Sequence, residues 1–372
     1  MSAQNLIITA PTDDERVKTW AGTHQLWGAA LTLEDYLERE RRQLDIPLAR
    51  NGGLTNWILT EAASPAGGPR PILSSCETLK KKVLVKGKDG KVTEGTAHGV
   101  ASVFTQPEHR GKGYASTMMS QLSETLADKE KASEGSAICS VLWSDIGKKF
   151  YARSGWQPFD SNHVEFPALQ TPATTPENIE ILDSLESLAP LVEADEAILR
   201  ARFDSATQGS KIQVALLPFL DQIHWHLLRE RFVSQSLFPE RPVSPGHGAI
   251  FTSPATAKRV WSLWTRSYSG TVDQPEKNTL YLLRLVVEDG ITDAELETAL
   301  QGITDIARSL AGQWACGKVE MWNPDEKTKA AAQALGGKYI SREEGSLPAL
   351  NWFGKGPAED LEWIWSEKYA WC

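Results

Sequence analysis

A short turn, Arg110-Gly111-Lys112-Gly113, combines residue types that suit the binding of an anion. The two glycines lack the β-carbons that would keep a phosphate away from the backbone, and the arginine and lysine add positive charge. The turn ends where a helix is predicted, and the first N–H groups of a helix have no partner within it. Together these features predict a binding site for a pyrophosphate.

The elements on either side of this turn are predicted from the spacing of apolar residues. Residues 97–104 have the β-forming side chains of a strand, and Pro107 prevents the strand from continuing. Beyond the turn, apolar side chains recur at steps of three and four residues and predict a helix. These side chains are Met118, Met119, Leu122 and Leu126.

The turn differs from two common phosphate-binding motifs. It has no Gly-Lys-Ser or Gly-Lys-Thr end, and Ser116 stands where a Gly-x-Gly-x-x-Gly motif needs its third glycine. Because the motif is short, the alternative to a pyrophosphate site is an ordinary strand, turn and helix that bind no ligand.

The segment around this turn resembles the acetyl-CoA signature of the GNAT superfamily of N-acetyltransferases. The matching pattern is Arg110-x-x-Gly113-x-Ala115, preceded by Val103-Phe104-Thr105. The resemblance implies that acetyl-CoA is bound as a co-substrate. The residues it assigns to the coenzyme are Val103, Phe104, Thr105, Arg110, Gly111, Lys112, Gly113, Tyr114 and Ala115.

Residues 138–159 resemble the second motif of the same superfamily. An apolar strand leads to Ser144, where the family has asparagine, and then to Phe150-Tyr151 and a Gly-Trp pair. The resemblance implies coenzyme contacts at Ser144 and Phe150, and a place in the core is the alternative for Phe150. It also implies that Tyr151 protonates the departing thiolate. The alternative for Tyr151 is a purely structural place in the core. The phenol pKa of about 10 is close to that of an alkyl thiol, which suits this proton transfer.

Acetyl transfer to an amine also requires a base, because an alkylammonium with a pKa of about 10.4 must lose its proton before it attacks. The sequence leaves four candidates open. Glu77 and His98 lie on predicted strands beside the cleft, and Asp145 lies at a predicted helix start, where capping explains it better. The fourth is the terminal carboxylate of Cys372, because the aromatic tail before it should be held in place, and in some tandem members of the superfamily this group enters the first site.

Composition excludes several classes of function. The net charge is −9 and there is no basic block, which argues against nucleic-acid binding. No apolar run reaches the length of a membrane span, and the N-terminus lacks the pattern of a signal peptide. The four cysteines and seven histidines show no metal-ligand spacing, so no metal is predicted. A reducing, cytoplasmic location is the expectation.

The order of predicted elements indicates a mixed α+β fold in two halves. Residues 1–166 have the GNAT order, residues 167–177 are a linker rich in proline and threonine, and residues 178–372 repeat the order without the glycine turn. We therefore expect a degenerate GNAT-like second half that closes the substrate pocket and binds no acetyl-CoA, with an unrelated α+β domain as the alternative. The mixed-charge run Glu38–Arg42 is predicted to be a solvated helix face.

The whole chain is also similar to the fungal lysine N-acetyltransferase family. The similarity rests on the length of the second half, on CETL at residues 76–79 and on LWSDIGKKFYARSGW at residues 142–156. It implies a small-molecule amine substrate, with the ε-amine of free L-lysine first, in lysine catabolism. The alternatives are a polyamine or protein acetyltransferase and a non-catalytic acetyl-CoA-binding protein. The sequence leaves open whether the protein is a monomer or a homodimer.

Overall fold

The computed structural model describes residues 5–64, 70–128, 137–205, 209–241 and 246–371. Within these ranges the strands form one sheet of nine and one sheet of seven. Helices pack on both sheets, so the predicted mixed α/β architecture in two halves is confirmed.

The first half contains most strands of the first sheet and the helices that pack on them. They are β1 (Leu6–Thr9), α1 (Asp13–Trp27), α2 (Leu33–Gln43), β2 (Leu54–Glu61), β3 (Ser74–Lys86), β4 (Val92–Phe104), α3 (Tyr114–Ala127), β5 (Cys139–Ser144), α4 (Lys149–Ala152) and β6 (Gln157–Pro158).

The rest of the chain contains the elements that build the second sheet and three strands that return to the first. In chain order they are β7 (Asn162–Pro167), β8 (Ile179–Leu182), α5 (Leu185–Ser205), β9 (Ile212–Leu216), α6 (Leu220–Leu237), β10 (Gly248–Thr252), β11 (Arg259–Tyr268), β12 (Asn278–Val287), α7 (Asp293–Gln313), β13 (Lys318–Trp322), α8 (Glu326–Ala334), β14 (Lys338–Ser341), β15 (Leu347–Trp352) and β16 (Leu361–Trp363).

The two halves exchange strands. β7, which the sequence assigns to the end of the first half, pairs with β13 and β14 in the second sheet, so that assignment is wrong. β15 takes the place beside β5 in the first sheet, with Leu347 opposite Ser144 and Trp352 opposite Cys139. The hydrogen-bonded sheets therefore do not follow the predicted division at residues 166 and 178.

A second connection lies at the far end of β3. β9 pairs with Val83–Lys86 of β3, and β16 pairs with β9, so both strands extend the first sheet. The largest hydrophobic cluster contains Val141 and Leu350 of the first sheet together with Trp261 of the second sheet. The interface between the halves is thus part of the core.

Both sheets carry a bulge at the same place. In the first sheet, β4 has one more residue than β3 between two pairs, because Ser75 pairs with Phe104 and Glu77 with Ala101. In the second sheet, β12 has one more residue than β11 between two pairs, because Leu263 pairs with Arg284 and Trp264 with Leu282. In each sheet the bulged strand is also paired, in parallel, with the next strand of the fold, β5 or β13. A bulge bends a strand, so the two sheets share one local geometry.

We expect residues 1–166 alone to show no cooperative thermal unfolding. β5 is buried along its whole length, and the fragment lacks the strand that covers its edge. The measurement is circular dichroism during heating, together with binding of an apolar dye.

The matched control is residues 1–159 joined by a flexible linker to residues 345–354, which restores the partner of β5. This version should recover part of the cooperativity. A fragment that unfolds as cooperatively without β15 as with it would contradict the structural role of the exchange.

Candidate active site

The two central strands of the first sheet separate near the glycine turn. β4 and β5 pair in parallel from Ala97 with Cys139 to Val100 with Leu142. Beyond these positions β4 continues to Phe104 and β5 to Ser144, and the two strands no longer pair. A cavity of about 440 Å³ opens there, lined by residues of both strands, of α1 and of α2. This volume is in the range of small-molecule sites.

Ser102 occupies the bulge of β4 and faces Glu77 of β3. Its φ angle is 54°, a left-handed value that few residues other than glycine adopt. The Ser102 hydroxyl donates a hydrogen bond to Glu77 Oε2 at 2.9 Å. The bulge therefore both bends β4 away from β5 and fixes a donor beside a carboxylate of the cavity.

Glu77 is held by donors on three elements and lines the cavity. In addition to Ser102, Trp20 Nε1 and Asn56 Nδ2 donate to Oε1 at 3.3 and 2.8 Å. Burial, with a smaller contribution from nearby Glu40, raises the pKa of Glu77 to about 7. A carboxylate with this pKa can accept a proton near neutral pH.

Tyr151 lines the same cavity from α4, so the structure brings Glu77 and Tyr151 together. Burial raises the pKa of its phenol well above the usual range, which keeps the hydroxyl protonated. Phe150 packs edge-on against Tyr151, with ring centroids 4.9 Å apart, and belongs to the apolar cluster around Met118. Phe150 does not line the cavity, which agrees with the core alternative for this residue.

The glycine turn has the backbone that the sequence predicts. Gly111 and Gly113 have φ angles of 76° and 80°, and a β-carbon added at either would meet open space. Gly113 stands at the N-cap of α3, and no side chain of the described chain caps this helix. Arg110 and Lys112 are exposed, and they donate to backbone carbonyls of the same loop at 3.1 and 3.0 Å. The turn therefore presents uncapped N–H groups to solvent.

The corresponding helix of the second sheet is capped by its own residues. The side chain of Thr292 accepts from the Glu295 backbone N–H, and the Glu295 carboxylate accepts from that of Thr292 at 2.9 Å. This capping box satisfies first-turn donors of α7 that remain uncapped in α3. Only the first of these two helix starts is thus arranged for an external anion.

Two expected site residues, His98 and Ser144, do not line the cavity. His98 of β4 does not line the cavity, and burial lowers its pKa to about 4, with nearby Lys80 contributing. The Ser144 hydroxyl donates to the Gly147 carbonyl at 2.7 Å and accepts from the Ile146 N–H, so its own loop uses it. The position of His98 does not support it as the base, and the coenzyme contact expected at Ser144 stays a prediction.

The other predicted residues divide between cavity and loop. Val103 lines the cavity, whereas the Phe104 carbonyl accepts from the Ser74 hydroxyl at 2.9 Å. The Thr105 hydroxyl lies 3.1 Å from the same serine oxygen. Asp145 lines the cavity but caps no helix, because its carboxylate accepts from the Ser346 N–H at 2.8 Å. The helix predicted to follow it begins only at Lys149.

The C-terminal tail reaches the cavity. Trp371 lines it, and its carbonyl accepts from Gln222 Nε2 of α6 at 3.4 Å. The carbonyl of the buried Tyr369 lies 3.0 Å from His226 Nε2. The predicted anchoring of the aromatic tail is therefore confirmed up to Trp371. Cys372 lies outside the described residues, so the role suggested for its carboxylate stays a prediction.

The same tail fills the gap between the separated strands of the second sheet. β12 and β13 pair only from Thr279 to Leu282 of β12. Beyond that point the Leu285 N–H donates to Glu367 Oε2 at 3.0 Å, and Asn323 Nδ2 donates to the Ser366 carbonyl at 2.6 Å. Residues of the chain itself thus occupy the position that corresponds to the cavity of the first sheet.

Three charged residues of the cavity were missed as site residues because they lie on helices without a motif. The run Glu38–Arg42 is only partly solvated: Arg39 and Glu40 are buried and line the cavity. Arg39 Nε donates to Glu40 Oε1 at 2.9 Å, and Gln43 Nε2 donates to Glu40 Oε2 at 2.9 Å. Arg229 of α6 is the third, and no sequence pattern distinguishes it from its neighbours.

One group of potential metal ligands occurs among the described residues, away from this cavity. His163, Glu165 and Glu320 place ligand atoms within 4.8 Å of one another. Lys318 Nζ, however, lies 3.2 Å from Glu165 and 2.6 Å from Glu320. The same ammonium therefore already pairs with both carboxylates.

Comparison with protein families identifies two segments. The model described as the LYC1 GNAT-like C-terminal domain matches residues 163–372, and that of the acetyltransferase (GNAT) domain matches residues 72–159. The point between the two matches coincides with the passage of the chain from the first sheet to the second.

Among curated proteins, a lysine acetyltransferase of Yarrowia lipolytica is 36% identical to this chain over 163 residues. The alignment covers 40% of this chain and 39% of that protein, so the similarity spans about two-fifths of each.

Two solved structures share the fold over most of the chain. A probable N-acyltransferase of unknown function from Enterococcus faecalis V583 has a TM-score of 0.53 at 12% identity, covering 94% of this chain and 73% of that one. An N-myristoyltransferase of Saccharomyces cerevisiae with bound myristoyl-CoA has a TM-score of 0.54 at 9% identity. This match covers 97% of this chain and 82% of that one. At these identities the likeness establishes the fold alone.

Among the helices that the structure describes, none combines the length and apolar character that a membrane crossing requires.

Replacing Glu77 by glutamine should change how stability depends on pH. The folded chain raises this pKa from 4.5 to about 7, so it holds the proton more tightly than the unfolded chain. The resulting stabilisation is fully present below pH 4.5 and is lost as the pH rises through about 7. Glutamine does not ionise, so the free energy of unfolding of Glu77→Gln relative to wild type should increase by about 2.5 kcal/mol from pH 5 to pH 8. Urea unfolding at several pH values measures it, and a difference independent of pH would contradict the shifted pKa.

Proposed function

Because the chain belongs to the GNAT acetyltransferase family with a LYC1 GNAT-like C-terminal domain, we propose that it acetylates the amine of a small molecule from acetyl-CoA. Free L-lysine, acetylated at its ε-amine, is the favoured substrate. The observation that carries the proposal is the cavity between the separated ends of β4 and β5, which holds Glu77 and Tyr151 and lies next to the glycine turn.

The glycine turn supports the coenzyme part of the proposal. The uncapped N–H groups at the start of α3 and the exposed Arg110 and Lys112 suit the two charges of a diphosphate. The end of β4 no longer pairs with β5, so its edge on that side offers backbone groups to the extended arm that follows the diphosphate. With its diphosphate at the turn, an extended coenzyme would carry its thioester into the cavity.

In this proposal Glu77 takes the proton of the incoming ammonium, directly or through water. A pKa of about 7 leaves a substantial ionised fraction at neutral pH, while burial strengthens the basicity of the carboxylate. The donors Ser102, Trp20 and Asn56 hold both oxygens in place, which fixes the direction from which the proton is taken.

Tyr151 supplies the second proton transfer. Its phenol remains protonated and lies on the cavity, so it can donate a proton to the departing thiolate. Acetylation joins the amine nitrogen to the acetyl carbon and breaks the bond from that carbon to sulfur. The ammonium loses two protons: Glu77 takes the first before the attack, and the nitrogen gives up the second as the tetrahedral intermediate collapses, which restores the proton that Tyr151 donates to the thiolate. Glu77 then passes its proton to solvent, so each turnover releases one proton.

The identity of the amine is supported less directly. The name of the Yarrowia relative points to lysine, and the tail and α6 form part of the cavity wall, which favours a small substrate over a protein. Polyamines and protein lysines remain the competing substrates, and binding of acetyl-CoA without catalysis remains the competing function.

Release of CoA thiol from acetyl-CoA in the presence of different free amines tests the proposal. We expect turnover with L-lysine at least 10-fold faster than with a polyamine or a lysine-containing peptide, because a site built around one substrate discriminates by more than one interaction. Turnover of a peptide alone would indicate a protein acetyltransferase. Binding of acetyl-CoA with no turnover of any amine would indicate a non-catalytic protein.

Replacing Gly113 by alanine should weaken acetyl-CoA binding by at least 10-fold, because the added methyl group stands at an anion-binding backbone and strains a φ angle of 80°. The matched control is Gly290→Ala at the turn before α7, where φ is 98° and the strain is similar. Titration calorimetry with acetyl-CoA should show a normal Kd for the control. Equal weakening by both substitutions would mean that strain, and not the coenzyme contact, is responsible.

A further inference from the structure

Three buried arginines pair with carboxylates, whereas Arg229 has no carboxylate partner among the residues that the structure describes. Arg39 pairs with Glu40, Arg266 pairs with Glu230 at 3.0 Å, and Arg284 pairs with Asp195 at 2.8 Å. For Arg229, no hydrogen bond or ion pair is found among the residues that the structure describes. Its side chain is partly buried on α6 and lines the cavity.

This cation is held in an unfavourable environment. Burial lowers the pKa of Arg229 to about 10, and the nearby Arg39 adds to the effect. Glu40 and Glu77 favour its charged form, but neither makes an ion pair with it. A buried charge without a partner is costly, so an anion that enters the cavity would gain a strong contact.

The carboxylates of the cavity already have other partners. Glu40, Glu77 and Asp145 each accept hydrogen bonds from donors other than Arg229. Arg229 is therefore free to bind an anion that is not one of these side chains. A guanidinium presents paired N–H donors that match the two oxygens of a carboxylate.

We propose that Arg229 binds the α-carboxylate of the substrate, which makes the substrate class a free amino acid with a side-chain amine. The proposal rests on the acetyltransferase function proposed above and narrows its substrate. The amine of such a molecule lies at the opposite end from its carboxylate, so one cavity holds the carboxylate at Arg229 and the amine near Glu77. A polyamine has no anion for Arg229, and a lysine within a protein has no free carboxylate.

The test compares L-lysine with L-lysinamide, which differs only in its uncharged carboxamide. Wild type should use L-lysine with a kcat/KM roughly 100-fold above that of L-lysinamide, because a buried charge-assisted contact is lost. Arg229→Gln should lower kcat/KM for L-lysine by roughly 100-fold, mainly through KM, and change that for L-lysinamide by less than about 3-fold. Arg229→Lys should restore part of the activity on L-lysine because it keeps the charge.

Arg231→Gln is the matched control, because Arg231 lies on the same helix and is exposed. It should leave both substrates unaffected. The thermal midpoint gives a second readout that needs no turnover. L-lysine should raise the Tm of wild type but not that of Arg229→Gln. Wild type and Arg229→Gln should bind acetyl-CoA equally well. If Arg229→Gln fails to fold, the ratio of kcat/KM for L-lysine to that for L-lysinamide, measured in wild type and in Arg229→Lys, tests the inference instead.

Equal loss of activity with both amines in Arg229→Gln would show that Arg229 stabilises the protein, and would overturn the inference. Equal use of L-lysine and L-lysinamide by wild type would overturn it as well. Either result leaves the proposed acetyltransferase function intact. That function fails only if wild type releases no thiol with any amine.

Discussion

The structure depends on two parallel strands that pair over four positions and then separate. The bulge at Ser102 bends β4 away from β5 after Val100 and Leu142, and strained backbone at this residue marks the point. The separation creates a cavity between two neighbouring strands in the middle of the sheet. It also leaves backbone groups of β4 unpaired beside that cavity, next to the helix start that is free to bind an anion.

The second sheet repeats this geometry but uses it differently. Its bulged strand also separates from the neighbouring strand, yet Glu367 and Ser366 of the tail bridge the gap. Arg284 pairs with Asp195 and with Glu367, which fixes the tail in the core. From there the chain continues to Trp371 in the first cavity. The second half thus contributes to the site by holding a segment of chain, and the exchange of β7 and β15 makes the two halves one unit.

The features that could be predicted from the sequence are those determined by residues close together in the chain. The glycine turn, the helix after it and the cavity position of Tyr151 follow from local spacing and from motifs with known geometry. Glu77 was one of four candidates for the base, and no sequence pattern separates it from His98. The exchange of β7 and β15 could not be predicted, because strand alternation indicates that a strand exists but not which partner it takes. His98 has the right residue type on the right strand, but its side chain is not part of the cavity wall.

The charged residues of the cavity were hidden for a different reason. Arg39 and Glu40 belong to a helix whose charge pattern is typical of a solvent-exposed face, and that face is partly covered by α6, nearly 200 residues later in the chain. Arg229 lies on α6 among other charged side chains, and only its position opposite α2 and on the cavity wall distinguishes it. Such features are determined by tertiary packing, which no local pattern records.

The most direct test of the account is a crystal structure with bound CoA or acetyl-CoA. The account predicts diphosphate oxygens within hydrogen-bond distance of the backbone N–H groups of Gly111 and Gly113. The arm should then run between the ends of β4 and β5, and the sulfur should lie in the cavity near Tyr151. A coenzyme bound elsewhere on the chain, or a diphosphate away from the start of α3, would contradict it.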